Sequence, residues 1–216
     1  MRILVTGGSG VLGRAAMPLL RAEGHVVSGP SRAALDLFDP GAGAEAVAGM
    51  DAVLHLATGI PPSGIRDDRE VWRENDRLRR EASALLVDVA LEASVGVYIQ
   101  PSVTFVYPSF GPVDELTRLA DVPEILRSVL DAEAAAARFA AGGRDGVVLR
   151  LGLLDGPGTD HASPAPRFGA TLHVEDAGHA LVAALSVPSG IYNVCRDEER
   201  VSNERFRRVS GWAPGR

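Results

Sequence analysis

The sequence predicts an α/β protein built on a doubly wound parallel sheet, and two observations lead there. Short β-branched runs alternate with helical stretches along most of the 216 residues, the pattern that lays helices on both faces of a parallel sheet. The first apolar run also passes directly into a turn with glycines at 7, 10 and 13, and then into a helical pattern. A chain of this length suits one domain. We expect a single domain over residues 1–216.

The elements follow in order. Ile3-Leu4-Val5 is an apolar strand and residues 12–23 carry helical spacing. Val26-Val27 gives a second strand, residues 42–48 a weak helix, residues 52–56 a third strand and residues 70–93 one long helix. Residues 97–100 form the next strand, and residues 124–141 are alanine-rich and therefore helical. Residues 147–151 are again a strand. The Gly, Pro, Ser and His content of residues 155–171 predicts a loop, and Glu175 and Asp176 open a helix over 174–185. Residues 190–194 add a strand and residues 201–211 a last short helix. In such a sheet the ligand crevice lies beyond the carboxyl ends of the strands, after Val5, Val27, Leu56, Gln100 and Leu151.

Composition narrows the partners. A formal net charge of -6 supplies no positive field for nucleic acid, so a small molecule fits better. Cys195 is the single cysteine, which excludes an intrachain disulfide and suits a reducing compartment. No apolar run is long enough for a membrane span, and the chain starts on a core strand. We expect a cytoplasmic location. No metal-ligand spacing occurs.

The glycine turn has a specific physical reading. Gly7 makes a tight turn, Gly10 lets backbone approach a pyrophosphate, and Gly13 lets the helix sit close to the strand. Amides at the helix start, around Gly8, Ser9, Val11 and Leu12, then face the phosphate charge. The fold so indicated is of the Rossmann type.

Taken with Asp51-Ala52-Val53-Leu54-His55-Leu56-Ala57 and Arg150-Leu151-Gly152…Asp155-Gly156-Pro157-Gly158, this turn resembles the extended short-chain dehydrogenase/reductase superfamily, in its NAD-dependent epimerase/dehydratase group. Asn75, Ser102…Val106-Tyr107, His173-Val174-Glu175-Asp176 and Tyr192-Asn193-Val194 match in family order. The resemblance implies a cytoplasmic enzyme that binds NAD(H) or NADP(H) and oxidises, reduces, epimerises or dehydrates small molecules, often nucleotide sugars. It implies phosphates at Gly7, Gly10 and Gly13, adenine beside Asp36 and Leu37, and ribose and nicotinamide along His55, Leu56 and Ala57, with Thr58 next to them. Since the helices the family inserts after Gly158 are missing, it implies a reduced C-terminal substrate lobe over residues 152–216. It also implies a homodimer through paired helices. Asp36 alternatively caps the short helix after it.

Cofactor choice has a separate signal. An NAD site expects an acidic residue about 20 positions after the glycines, and none stands between Glu23 and Asp36. Arg32 occupies the end of the second strand instead, where a guanidinium meets a 2′-phosphate. NADP(H) is therefore preferred to NAD(H), unless Arg32 is a solvated surface residue.

The chemistry-bearing part of the family pattern is missing. The group carries Tyr-x-x-x-Lys, whose lysine lowers the phenol's pKa for proton transfer. Aligned on Ser128 and Glu133, those two positions are Ile125 and Val129 here, and the chain contains no lysine. The family's Ser or Thr beside the substrate oxygen falls on Val103. Ser102, Thr104 and Tyr107 are the remaining candidate proton donors, with Tyr107 alternatively a packed aromatic. His161 is a loop histidine at the ligand end, while His55, His173 and His179 fit structural positions. Arg69, Arg73 and Arg77 interleave with Glu70, Glu74 and Asp76, an ion-paired solvated face or, alternatively, an anionic-substrate stripe. Three functions stay open: an atypical NADP(H)-dependent oxidoreductase or epimerase/dehydratase, a non-catalytic NADP(H)-binding sensor, and a lyase, cyclase or isomerase reusing the fold.

Overall fold

The computed structural model describes every residue except Asp67, Phe110, residues 166–168 and Arg216. Its strands are β1 (Arg2–Thr6), β2 (Val26–Ser28), β3 (Ala52–His55), β4 (Val97–Val103), β5 (Asp145–Leu151), β6 (Leu153–Asp155), β7 (Thr171–His173) and β8 (Gly190–Val194). Its helices are α1 (Val11–Ala22), α2 (Pro40–Val47), α3 (Arg73–Arg77), α4 (Ser83–Glu92), α5 (Arg127–Ala141), α6 (Val174–Ala183) and α7 (Glu204–Ser210). Six strands make one sheet in the order β2-β1-β3-β4-β5-β8, every neighbouring pair parallel. This is the doubly wound Rossmann-type arrangement that the sequence predicts. The chain winds one way from β1 to β2 and the other way from β3 onward, so the switch point falls between the ends of β1 and β3.

The two-residue period of each strand sorts the core into two layers. Ile3, Val5, Ile99, Leu149 and Val194 share one cluster with α1 and α6. Leu4, Val53, Tyr98 and Val148 share the other with α2, α4 and α5, through Val47, Leu86 and Phe139. A small third cluster joins Tyr107, Val113, Ala170, Cys195 and Val201 beyond the strand ends. Tyr98, Tyr107 and Tyr192 are at most 5% exposed and Cys195 is fully buried. Among the described residues no helix is long and apolar enough to cross a membrane.

The structure departs from the predicted elements in three places. Residues 70–93 are not one helix. A 3-10 turn (Arg69–Trp72), α3, a π-turn (Leu78–Ala82) and α4 follow in succession. At the start of the π-turn the Leu78 carbonyl accepts the Ser83 amide, an i to i+5 step, and also the Ser83 hydroxyl at 3.3 Å. The predicted 155–171 loop is bounded by a short parallel pair, β6 with β7. A Cβ at Gly152 would stand 2.7 Å from the Thr171 carbonyl carbon, so glycine there lets the two backbones meet. Val201 bridges to Val113, and α7 begins at Glu204 rather than at 201.

Candidate active site

At the end of β1 the backbone is arranged as a cradle. Gly7 has φ 70°, and a Cβ on it would lie 2.6 Å from the Ala57 nitrogen, against the exit of β3. A Cβ on Gly13 would stand 2.5 Å from the Gly8 Cα, so only glycine lets α1 approach the turn. The Gly10 amide donates to the Gly7 carbonyl at 2.9 Å. Gly10 caps α1 with no side-chain bond, and the first turn holds no acidic residue. Amides at a helix start are left in want of an acceptor, and Ser9 and Gly10 are exposed with Val11 and Leu12 partly so. These are the features a pyrophosphate requires. Arg14 donates to the Ser9 carbonyl at 2.5 Å and lies beside Gly158.

Met17 ties this turn to the exit of β2. Its sulfur would meet a Cβ on Gly8 at 2.7 Å and one on Gly29 at 3.0 Å. Three residues further, Arg32 is exposed and has no hydrogen bond or ion pair among the described residues. Asp36 is exposed and accepts the Phe38 amide at 2.9 Å, a local turn. The residue that caps α2 is Asp39, which accepts the Gly41 amide at 2.8 Å. Leu37 is partly exposed.

On the β3 side, Leu56 is buried, Ala57 partly exposed and Thr58 exposed. His55 is locked beneath them, with Nδ1 2.7 Å from the Thr6 hydroxyl and the ring bonded to the Leu78 backbone. Burial pulls its pKa down to about 4, so it is a neutral brace rather than a proton carrier at pH 7.

At the ends of β4, β5 and β8 the polar groups close on one another. Ser102, Arg150 and Asn193 are in register across the three strands and so point to the α5 side. Ser102 donates to Glu133 at 2.5 Å, and Arg150 donates to the same carboxylate at 2.9 and 2.7 Å. Glu133 is 7% exposed and Arg150 4%. Burial works against the Arg150 charge, but hydrogen bonds and the charge of Glu133 outweigh it and hold the guanidinium above its ordinary value. The Arg150 guanidinium lies 4.9 Å from the Tyr107 ring centroid, and the Tyr107 hydroxyl donates to Asn193 at 2.9 Å. Burial pushes the Tyr107 phenol up. Ile125 sits in the 3-10 turn before α5, and Val129 is buried within it.

Of the three candidate proton donors, then, Ser102 and Tyr107 already donate within the protein. Thr104 is 3% exposed and its hydroxyl has no partner among the described residues. His173 caps α6 through Nδ1, His161 packs its backbone against Gly156, and His179 is exposed. The arginine stripe is ion-paired as a helix face: Arg69 with Asp76, Arg73 with Glu70, Arg77 with Glu81. The Glu133–Arg150 clamp and the orphaned Asn75 Nδ2 and Arg79 Nη1 are features that sequence reasoning missed. For the clamp, the signal was an acid in α5 facing a basic residue on an otherwise apolar strand.

Comparison with known proteins decides the family. The family model described as "NAD dependent epimerase/dehydratase family" matches residues 3–171. The chain belongs to the NAD-dependent epimerase/dehydratase family. A 3-diazoavenalumate denitrifying reductase from a Streptomyces species is 34% identical, over 92% of this chain and 77% of that protein. Among solved structures, UDP-N-acetylglucosamine 4-epimerase from Bacillus cereus superposes with TM-score 0.83 at 18% identity, covering 100% of this chain and 94% of the other. DesIV, a dTDP-glucose 4,6-dehydratase from Streptomyces venezuelae with NAD bound, gives TM-score 0.79 at 19% identity, covering 100% and 92%. Members of the epimerase/dehydratase family are nicotinamide-dinucleotide enzymes, and the relatives here are an epimerase, a dehydratase and a reductase.

Proposed function

We propose that the chain is a cytoplasmic NADP(H)-dependent reductase whose acceptor takes hydride without a proton from the protein, an arenediazonium cation being the fitting class. The observation that carries this reading is Ile125 and Val129 at the family's Tyr and Lys positions, in a chain without lysine. A carbonyl acceptor becomes an alkoxide and needs an acid beside it; a diazonium group leaves as a neutral gas. When bound, the reduced dinucleotide supplies hydride, which together with loss of dinitrogen converts Ar–N2+ to Ar–H with atoms and charge balanced and no proton added. Similarity to a reductase named for denitrifying a diazo acid supports the same class.

In this reading Gly7, Gly8, Ser9 and Gly10, with the amides of Val11, Leu12 and Gly13, hold the pyrophosphate. Arg32, free of internal partners beside the glycine turn, takes the 2′-phosphate and sets NADP(H) over NAD(H). Asp36 and Leu37 border the adenine, and Leu56, Ala57 and Thr58 line the ribose and nicotinamide. Residues 152–216 supply a small substrate lobe through β6, β7 and the third core cluster, suited to a compact substrate. Thr104, with its uncommitted hydroxyl, orients that substrate, while Ser102 and Tyr107 hold the wall behind it.

The test is to mix purified protein with NADPH or NADH and a benzenediazonium salt, following nicotinamide oxidation and dinitrogen release above the protein-free rate. Benzene and dinitrogen in equal amounts to NADP+ are expected. Reduction of carbonyl compounds with the diazonium salt left intact would overturn the reading. Arg32→Ala should weaken NADPH by about tenfold, roughly 1.4 kcal/mol, and leave NADH unchanged.

A further inference from the structure

Six arginines lie between residues 66 and 80, and five are paired. Arg66 pairs with Asp160, Arg69 with Asp76, Arg73 with Glu70, Arg77 with Glu81 and Arg80 with Asp131. Arg79 is the exception. Its Nη1 is buried and has no hydrogen-bond partner among the described residues. The neighbouring carboxylate does not supply one, since Asp76 is engaged by Arg69 and by the Ser128 hydroxyl at 2.7 Å. Burial lowers the Arg79 pKa to about 10, against the pull of Asp76, so the group remains a cation at neutral pH. A buried guanidinium N–H without an acceptor is an expensive feature to keep unless something fills it.

A second orphan donor stands four residues earlier. Asn75 is fully buried, its Oδ1 accepts the Gly59 amide at 3.2 Å, and its Nδ2 has no partner among the described residues. Asn75 in α3 and Arg79 in the π-turn after it stand on successive turns of one segment, whose Asn75 side meets β3. That side is anchored to the exit of β3, by Gly59 at Asn75 and by the His55 ring at Leu78. The β3 exit in turn backs onto Gly7. Both orphans are pure donors, and one is charged, so the matching ligand is an acceptor-only anion. The proposed phosphate positions of the dinucleotide are at the exits of β1 and β2, which leaves this anion to the substrate.

We propose that Arg79 and Asn75 Nδ2 form a carboxylate-binding site that selects acidic aryl substrates. The proposal rests on the reading of the crevice as the site of a small organic acceptor, and it names that acceptor's anionic group.

The test separates the two. Cinnamate, an aryl carboxylate with no diazo group, and cinnamamide are titrated into protein saturated with NADP+, using the fluorescence of Trp72, which precedes Asn75 in the same segment. The wild type should bind cinnamate about tenfold or more tighter than cinnamamide, as expected for a charge-assisted pair. Arg79→Met should bring that ratio close to one with NADP+ affinity retained, and Arg79→Lys should restore part of it. A wild type with no carboxylate preference, an Arg79→Met protein that keeps the preference, or an Arg79→Met protein that loses NADP+ instead would each overturn the site. Reduction of benzenediazonium by the wild type tests the proposed function independently, because that substrate carries no carboxylate.

Discussion

At the ends of β1 and β3 the protein presents bare backbone and unmatched donors: the Gly10 cap without a side-chain bond, the buried Nδ2 of Asn75 and Nη1 of Arg79. At the ends of β4, β5 and β8, a few strands along the same sheet, Glu133 takes both Ser102 and Arg150, and Asn193 takes Tyr107. The two regions come from one topology and face the same crevice. Their difference is that donors at one end are left without an acceptor, which costs free energy, whereas the polar network at the other satisfies itself and acts as a structural clamp. The described exception at this end is Thr104, directly after β4, whose buried hydroxyl has no partner among the described residues.

The comparison can be broken most sharply at Glu133. Glu133→Ala strands the buried Arg150 charge and the Ser102 hydroxyl, and should cost about 3–5 kcal/mol in urea unfolding, with NADPH affinity of the folded protein unchanged. Unaltered stability would mean that the network is not a clamp. His55 gives the next largest effect, on the ligand side. Its pKa is about 4 when folded against 6.5 unfolded, so the unfolded chain binds the extra proton between those values. Stability is complete above pH 6.5 and falls as pH drops through that window, by about 3 kcal/mol in all. His55→Gln should flatten this part of the stability profile; an unchanged profile would remove His55 as the brace.

Gly7→Ala sharpens the comparison from the backbone. The positive φ and the blocked Cβ position should cost about 1–3 kcal/mol and weaken NADPH binding, measured by thermal shift with and without nucleotide. Tyr107→Phe should have the smallest effect, about 1 kcal/mol for one buried hydrogen bond. A collapse of turnover at unaltered stability would instead place Tyr107 among the reacting groups.

The two regions were also unequally legible in the sequence. The requirements at Gly7 and Gly13 act on the backbone, and only glycine meets them, so the letters themselves carry the geometry. The parallel sheet with helices on both faces follows from the alternation of strands and helices in the same direct way, whereas the strand order β2-β1-β3-β4-β5-β8 had to come from the structure. Arg79 reads as one arginine among six until the partners of the other five are known, and Glu133 meets Arg150 only because strand register and helix rotation bring them together. The π-turn at Leu78 interrupts a continuous helical residue pattern without any glycine or proline to announce it, and β6 and β7 are three residues each, too short to show a period.

The burial of Tyr98, Tyr107, Tyr192 and Cys195, in a chain without lysine, determines how the molecule meets electrophiles. Its exterior offers no thiol, phenol or ε-amine. Reagents that modify those groups will pass over the native protein and mark it only as it opens, so covalent labelling reads the unfolding of this chain against a silent surface.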